Sequence, residues 1–136
     1  MIHVVCGLIG AGKTTYARSS GGIVVDLHDD DSSVCLNKDE QIRTTLSDDD
    51  QGIDVWHITL YPTIAEEAAF MGRSCEYIWV NTTIAKAMEN VVKRGRERDI
   101  SDLSQTRKKQ TDVLMKYVQS SLRFKIVNVF ETNERW

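Results

Sequence analysis

The stretch Gly7-Leu8-Ile9-Gly10-Ala11-Gly12-Lys13-Thr14 constrains this chain more than any other part of it. It follows the short, mostly apolar and β-branched run Ile2-His3-Val4-Val5-Cys6, which is too short for a helix and reads as a buried strand. A helix is expected from about Lys13, ending by Ser19-Ser20-Gly21-Gly22. Glycines between a strand and a helix let the backbone turn tightly and aim successive N–H groups at one point, where the positive end of the helix also lies. That is a phosphate cradle, and every fixed position of the Gly-x-x-x-x-Gly-Lys-Thr phosphate-loop pattern is matched in the strand–loop–helix context it requires. The nucleotide-binding set is therefore Gly7, Gly10, Ala11, Gly12, Lys13, Thr14 and Thr15. Lys13 reaches the β- and γ-phosphates of a nucleoside triphosphate, and the Thr14 hydroxyl supplies a ligand to Mg²⁺.

Beyond the loop, strand and helix patterns alternate. Gly22 to Leu27 reads as a second strand, Lys38 to Leu46 as an exposed helix closed by Ser47-Asp48-Asp49-Asp50, and Ile53 to Leu60 as a third strand. Pro62 opens a helix over Thr63 to Met71, and Tyr77 to Val80 is a fourth strand. Asn81-Thr82-Thr83 caps a helix carrying Ile84, Met88 and Val91 or Val92 on one face. Ser101 caps a last helix with the stripe Leu103, Gln110, Leu114, Tyr117 and Val118, and Lys125 to Phe130 closes as a fifth strand. This order predicts an α/β protein, a five-stranded parallel sheet with helices on both faces, in one domain over residues 1–136.

Composition excludes several classes. With 41% hydrophobic and 27% charged residues the chain is neither disordered nor fibrous, and no apolar run approaches a membrane span. Cys6, Cys35 and Cys75 form no CxxC pair and lack histidine at metal-ligand spacing, which points to a reduced, intracellular protein. Charge is unevenly placed: residues 1–80 carry −8 and residues 81–136 carry +5, for a net −3. The basic part, Lys93-Arg94-Gly95-Arg96-Glu97-Arg98 with Arg107-Lys108-Lys109, suits a polyphosphate or nucleic-acid partner.

Phosphoryl transfer needs a metal, an aligned acceptor, a group that takes or orients its proton, and cations over the developing charge. Asp26, at the end of the second strand, and Asp29, three residues on, lie at the sheet edge where ligands bind in open α/β folds. Either accepts a hydroxyl proton or holds metal. Arg94, Arg96 and Arg98 flank Gly95 beyond the fourth helix, where a lid over residues 93–104 closes on the triphosphate.

Gly7 to Thr15 with Tyr16-Ala17-Arg18, the acidic turn after the second strand, and Lys93-Arg94-Gly95 before a long helix together resemble the small P-loop kinases typified by phage polynucleotide 5′-kinases. The resemblance implies a P-loop NTPase fold with a helical lid. It implies that Lys13 binds phosphates, Thr14 binds magnesium, Asp29 is the general base and Arg94 contacts the triphosphate, while the family's earlier lid arginine falls on Asn90. Two departures stand out. His57-Ile58-Thr59 occupies the place of an acidic residue at the end of the third strand, and the segment before the second strand is short, which leaves Asp26 and Asp29 as alternative bases. A lower-ranked register gives the acidic-turn role to Asn37-Lys38-Asp39-Glu40-Gln41-Ile42-Arg43.

The expected activity is ATP- and Mg²⁺-dependent transfer to a hydroxyl of a nucleic acid or nucleotide, either a 5′-hydroxyl end or, as in some phage kinases, a hydroxymethylated base in DNA. A nucleoside monophosphate or small-metabolite kinase is the alternative. A P-loop ATPase or nucleotide-binding switch is the competing class, disfavoured because the third strand lacks a terminal acidic residue. Trp56, Tyr61 and Trp79 are expected in the core rather than stacked on bases.

Overall fold

The computed structural model describes residues 1–27 and 37–130, apart from the side chain of residue 98. Five strands form one parallel sheet: β1 (Ile2–Cys6), β2 (Ile23–Val25), β3 (Val55–Ile58), β4 (Cys75–Val80) and β5 (Phe124–Val127), in the order β2-β3-β1-β4-β5. Every residue of β1 is buried, as its run of Ile2, Val4, Val5 and Cys6 requires of a central strand. The helices are α1 (Lys13–Ser19), α2 (Lys38–Asp50), α3 (Ile64–Phe70), α4 (Ile84–Arg94), α5 (Glu97–Ile100) and α6 (Leu103–Val118). The chain passes from β1 outward to β2 and then back to β3, so right-handed crossovers put α1 and α2 on opposite faces of the sheet. Beyond β1 it continues the other way to β4 and β5, which opens a crevice at the carboxyl end of β1.

The core reads as a strand-and-helix sandwich. Phe70 and Trp79 are its largest apolar side chains, and Trp79 stacks on Tyr117 of α6 with ring centroids 4.0 Å apart. Burying each is worth about 3 kcal/mol. Trp56 stacks instead on His3, and Tyr61 packs by its hydroxyl against Ser120 Oγ at 2.5 Å.

Several local expectations are corrected. The helix at Lys38 does not close at Leu46 but runs through the aspartates to Asp50, because Asp49 and Asp50 are paired by Arg73 at 3.0 and 2.8 Å. Nor is that helix merely exposed, since it buries Gln41, Ile42 and Thr45. The last helix is capped by Asp102, whose carboxylate accepts from Gln105 N, and not by Ser101. Its buried face is Thr106, Gln110 and Val113, while Leu103 and Val118 of the expected stripe are exposed. The lid segment contains the short helix α5, which the sequence pattern did not separate from its neighbours.

Candidate active site

Gly10 and Gly12 sit at φ +87° and +94°, in the left-handed region that favours glycine. Space demands it as well: a Cβ on Gly10 would lie 2.5 Å from the carbonyl oxygen of Ala87, and one on Gly12 would lie 2.9 Å from Val129 Cγ1. The loop is thus pressed between α4 and the segment that follows β5. Gly7 N–H donates to Leu60 O at 3.0 Å, pinning the start of the loop to the end of β3, and Ala11 N–H donates to Leu8 O at 3.0 Å within it.

Lys13 folds its ammonium over the loop, donating to Gly7 O at 3.1 Å and Leu8 O at 2.7 Å. Burial pushes its pKa down to about 8, with Arg94 and Arg96 adding to the effect and Asp26 and Cys6 opposing it. Beside it, Thr14 Oγ1 donates to Asp26 Oδ2 at 2.9 Å, and Asp26 is only 8% exposed. A hydroxyl and a carboxylate in contact at the mouth of a phosphate loop are hard oxygen donors of the kind Mg²⁺ takes, so the residues fit that ion.

Above the loop lies a cavity of about 460 Å³. Among the described residues, Lys13, Lys38, Arg94, Arg96, Lys109 and Lys116 contribute its cations against Asp26 and Asp112, while Leu27, Leu60, Tyr61 and Val113 supply an apolar wall. A second cavity of about 180 Å³ lies on the other side of the loop, between Thr15, Asn90, Lys93, Arg94 and Phe130. Lys93, Arg94, Arg96 and Lys109 of the basic part expected from the sequence are therefore gathered around the loop, joined by Lys116. Tyr61, expected in the core, lines the large cavity.

The wall of that cavity opposite the loop rests on a buried polar network. Gln41 Nε2 donates to Val25 O at 3.1 Å and Ile58 O at 2.6 Å, fixing the ends of β2 and β3. Glu66, fully buried, takes a hydrogen bond from His57 Nε2, one from Lys38 Nζ at 3.0 Å and one from Thr63 N at 2.9 Å. His57 Nδ1 lies 2.7 Å from Thr45 Oγ1; with Glu66 ionised and His57 held neutral by burial, the imidazole proton is on Nε2 facing Glu66 and Nδ1 faces the Thr45 hydroxyl. Burial holds His57 below its usual range against the pull of Glu66. For Glu66, burial pushes up, but His57, Lys38 and the Thr63 N–H outweigh it and hold the carboxyl at about 2. His57 is a packed strand residue, as expected, and its partner Glu66 left no trace in a hydrophobic pattern.

Of the sequence-derived site residues, Gly7, Gly10, Gly12, Lys13, Thr14, Thr15, Asp26, Arg94 and Arg96 come together here, and Ala11 is buried beneath the loop. Asp29, like Cys35, lies outside the described residues, as does the side chain of Arg98. Asp39, central to the lower-ranked register, is exposed and borders neither cavity, whereas its neighbour Lys38 lines the larger one. Asn90 donates Nδ2 to Gly10 O at 3.0 Å, so the place of an earlier lid arginine holds a prop of the loop. Gln110 was read as part of an apolar stripe but binds Ile9 on both sides, a contact no periodicity reveals.

No protein-family model matches the chain, and no curated protein matches it in sequence. Its fold is similar to that of a sugar kinase from Janibacter, solved unliganded, with TM-score 0.62 and 15% identity over 93% of this chain and 84% of that one. It is similar also to deoxyadenosine kinase from M. mycoides, solved with bound dATP, with TM-score 0.57 and 12% identity over 94% of this chain and 91% of that one. The fold is the α/β fold of these two structures, with the five-stranded parallel sheet expected from the sequence.

Proposed function

We propose that residues 1–136 form one kinase unit that transfers the γ-phosphate of ATP to a hydroxyl of a nucleotide or nucleic acid. The observation that carries this reading is the Thr14–Asp26 pair beside Lys13, at the mouth of a cavity lined, among the described residues, by six cationic side chains and two anionic ones. A hydrolase needs room only for water. A cavity of about 460 Å³ with an apolar wall at Leu27, Leu60 and Tyr61 accommodates an organic acceptor, and its positive charge favours one that bears phosphate.

In this reading the loop N–H groups and Lys13 hold the β- and γ-phosphates, and the base of the nucleotide rests in the smaller cavity against Phe130. Arg94 and Arg96 lie over the transferring group and exclude water from it. Thr14 and Asp26 are the residues to hold Mg²⁺, which supplies charge neutralisation at the phosphates. With Asp26 engaged by Thr14, we assign the acceptor's proton to Asp29. Asp29→Asn is then expected to lower kcat by about a hundredfold or more with little change in the KM for ATP, whereas Asp26→Asn raises the Mg²⁺ concentration needed for half-maximal rate. Steady-state kinetics across a magnesium series separates the two, and the opposite pattern reassigns the base to Asp26.

Labelled γ-phosphate transfer onto 5′-hydroxyl oligonucleotides, hydroxymethyl-base DNA, nucleosides, nucleoside monophosphates and small alcohols, with Lys13→Met as control, tests the function. Label on oligonucleotides or nucleotides is the expected result. Label confined to a nucleoside or sugar selects the second reading, a small-metabolite kinase, which the names of the two similar structures favour. Phosphate released to water with no label on any acceptor identifies an ATPase.

A further inference from the structure

Two side-chain amides hold the crest of the phosphate loop, and each comes from a helix that borders the arginine segment. Gln110 of α6 is fully buried. Its Oε1 accepts from Ile9 N at 2.8 Å and its Nε2 donates to Ile9 O at 2.6 Å, so both polar groups of one loop residue are satisfied by one carboxamide. Asn90 of α4 donates to the next carbonyl, Gly10 O, at 3.0 Å. The peptides on either side of Ile9, and the one after Gly10, are therefore fixed in orientation from outside the loop. The chain between the two helices carries Arg96 and α5 (Glu97–Ile100), with Arg94 at the end of α4.

We infer, on the basis of the phosphate-loop reading above, that Gln110 is a positioning residue for nucleotide binding: it keeps the Ile9 carbonyl turned away from the phosphates and ties the loop to the arginine-bearing segment. A peptide between Ile9 and Gly10 that rotated about its axis would bring a carbonyl oxygen toward the phosphates where an N–H should stand, and Gly10, lacking a Cβ, offers little resistance to that rotation. The carboxamide of Gln110 supplies the resistance. A single side chain that pairs with both groups of Ile9 permits one orientation of that peptide only. Because α6 begins just after α5, the same bond sets the distance between loop and lid. Nucleotide that closes the arginines thereby also stiffens the loop.

The test uses the whole chain and a non-hydrolysable ATP analogue with Mg²⁺, measured by calorimetry, together with tryptic cleavage at Arg94 and Arg96. Gln110→Leu, close in volume but without polar atoms, is expected to bind the analogue about tenfold more weakly. At saturating analogue it should also lose most of the protection from trypsin that the natural chain gains, while the KM for the hydroxyl acceptor stays unchanged. Gln110→Glu gives a readout that a merely structural role would not move. As a carboxylate it repels the Ile9 carbonyl; once protonated, its O–H donates to Ile9 O and its C=O accepts from Ile9 N, restoring the original pattern. Affinity of Gln110→Glu, taken as a ratio to the natural chain at each pH to remove the titration of Lys13, should therefore recover as pH falls from 8 to 5.5. Among the described residues, the charged groups lining the two cavities that meet Ile9, the large one and one of about 350 Å³ along α5 and α6, are Lys13, Asp26, Lys38, Arg94, Arg96, Asp99, Lys108, Lys109, Asp112 and Lys116, and all are common to both proteins.

Gln110→Leu that binds within twofold of the natural chain and is equally protected overturns the inference. So does a Gln110→Glu ratio that is flat with pH, which also decides the matter if Gln110→Leu does not fold. Undiminished binding by Lys13→Met would instead overturn the phosphate-loop reading itself.

Discussion

Replacing Lys13 by methionine will lower kcat/KM for ATP by about a thousandfold while raising the melting temperature of the free protein. The two effects share one cause. Lys13 is held over the carbonyls of Gly7 and Leu8 with Arg94 and Arg96 nearby, and burial has pushed its pKa from 10.5 to about 8. A lysine whose folded pKa lies below its unfolded one destabilises the fold whenever it is charged: between about 8 and 10.5 the unfolded chain binds more protons, so stability rises with pH across that window. Methionine keeps the stem and removes that charge. A triphosphate reverses the balance by drawing a proton onto the amine. Nucleotide affinity is therefore expected to be flat below pH 8 and to fall above it, by up to about tenfold per pH unit, and Lys13→Met should abolish that slope. Calorimetry from pH 7 to 9.5 checks the slope, and thermal melts check the stability. A slope that survives the substitution would remove Lys13 from the phosphates, and a variant that melts lower would show that the buried charge of Lys13 does not destabilise the fold.

What could be read from the sequence divides along a physical line. The alternation of five strands with helices and the loop itself were legible because they are written in local signals: Ile2–Cys6 as an apolar run, Gly10 and Gly12 where the backbone needs positive φ, and Lys13 and Thr14 at the start of a helix. The arginines at 94 and 96 were legible because Gly95, in the left-handed C-cap of α4, ends the helix between them. The rest depends on contacts between residues far apart in the chain. Gln110 meets Ile9 and Asn90 meets Gly10 only after α4 and α6 have folded against the loop. Lys38, Gln41 and Thr45 looked like the polar face of an exposed helix because periodicity counts polar residues as outward, yet they form an inward polar face whose partners are on β2, β3 and α3.

That inward face carries the second large effect. Glu66→Gln is expected to cost about 3 kcal/mol of stability at pH 7, comparable to breaking a buried ion pair from one side. Glutamine still accepts from Thr63 N, so the cap of α3 survives, but Lys38 and His57 lose the carboxylate on which both converge. The acid limb gives the sign. The folded pKa of Glu66 is depressed from 4.5 to about 2, so its contribution is full above about pH 4.5 and disappears as pH falls toward 2. His57, held below its usual range by burial against the pull of Glu66, acts in the same direction in both proteins, and more strongly in Glu66→Gln, where that pull is gone, which offsets part of the loss. The difference in unfolding free energy between the natural chain and Glu66→Gln, followed in urea by tryptophan fluorescence, should therefore shrink from pH 5 to pH 2. A difference that stays constant would mean that the carboxylate does not carry the charge of the network. Because Lys38, Thr59 and Thr63 border the large cavity and bond to Glu66, the same variant is expected to raise the KM for the acceptor more than that for ATP. Stability and acceptor recognition would then fail together at a residue that touches neither substrate.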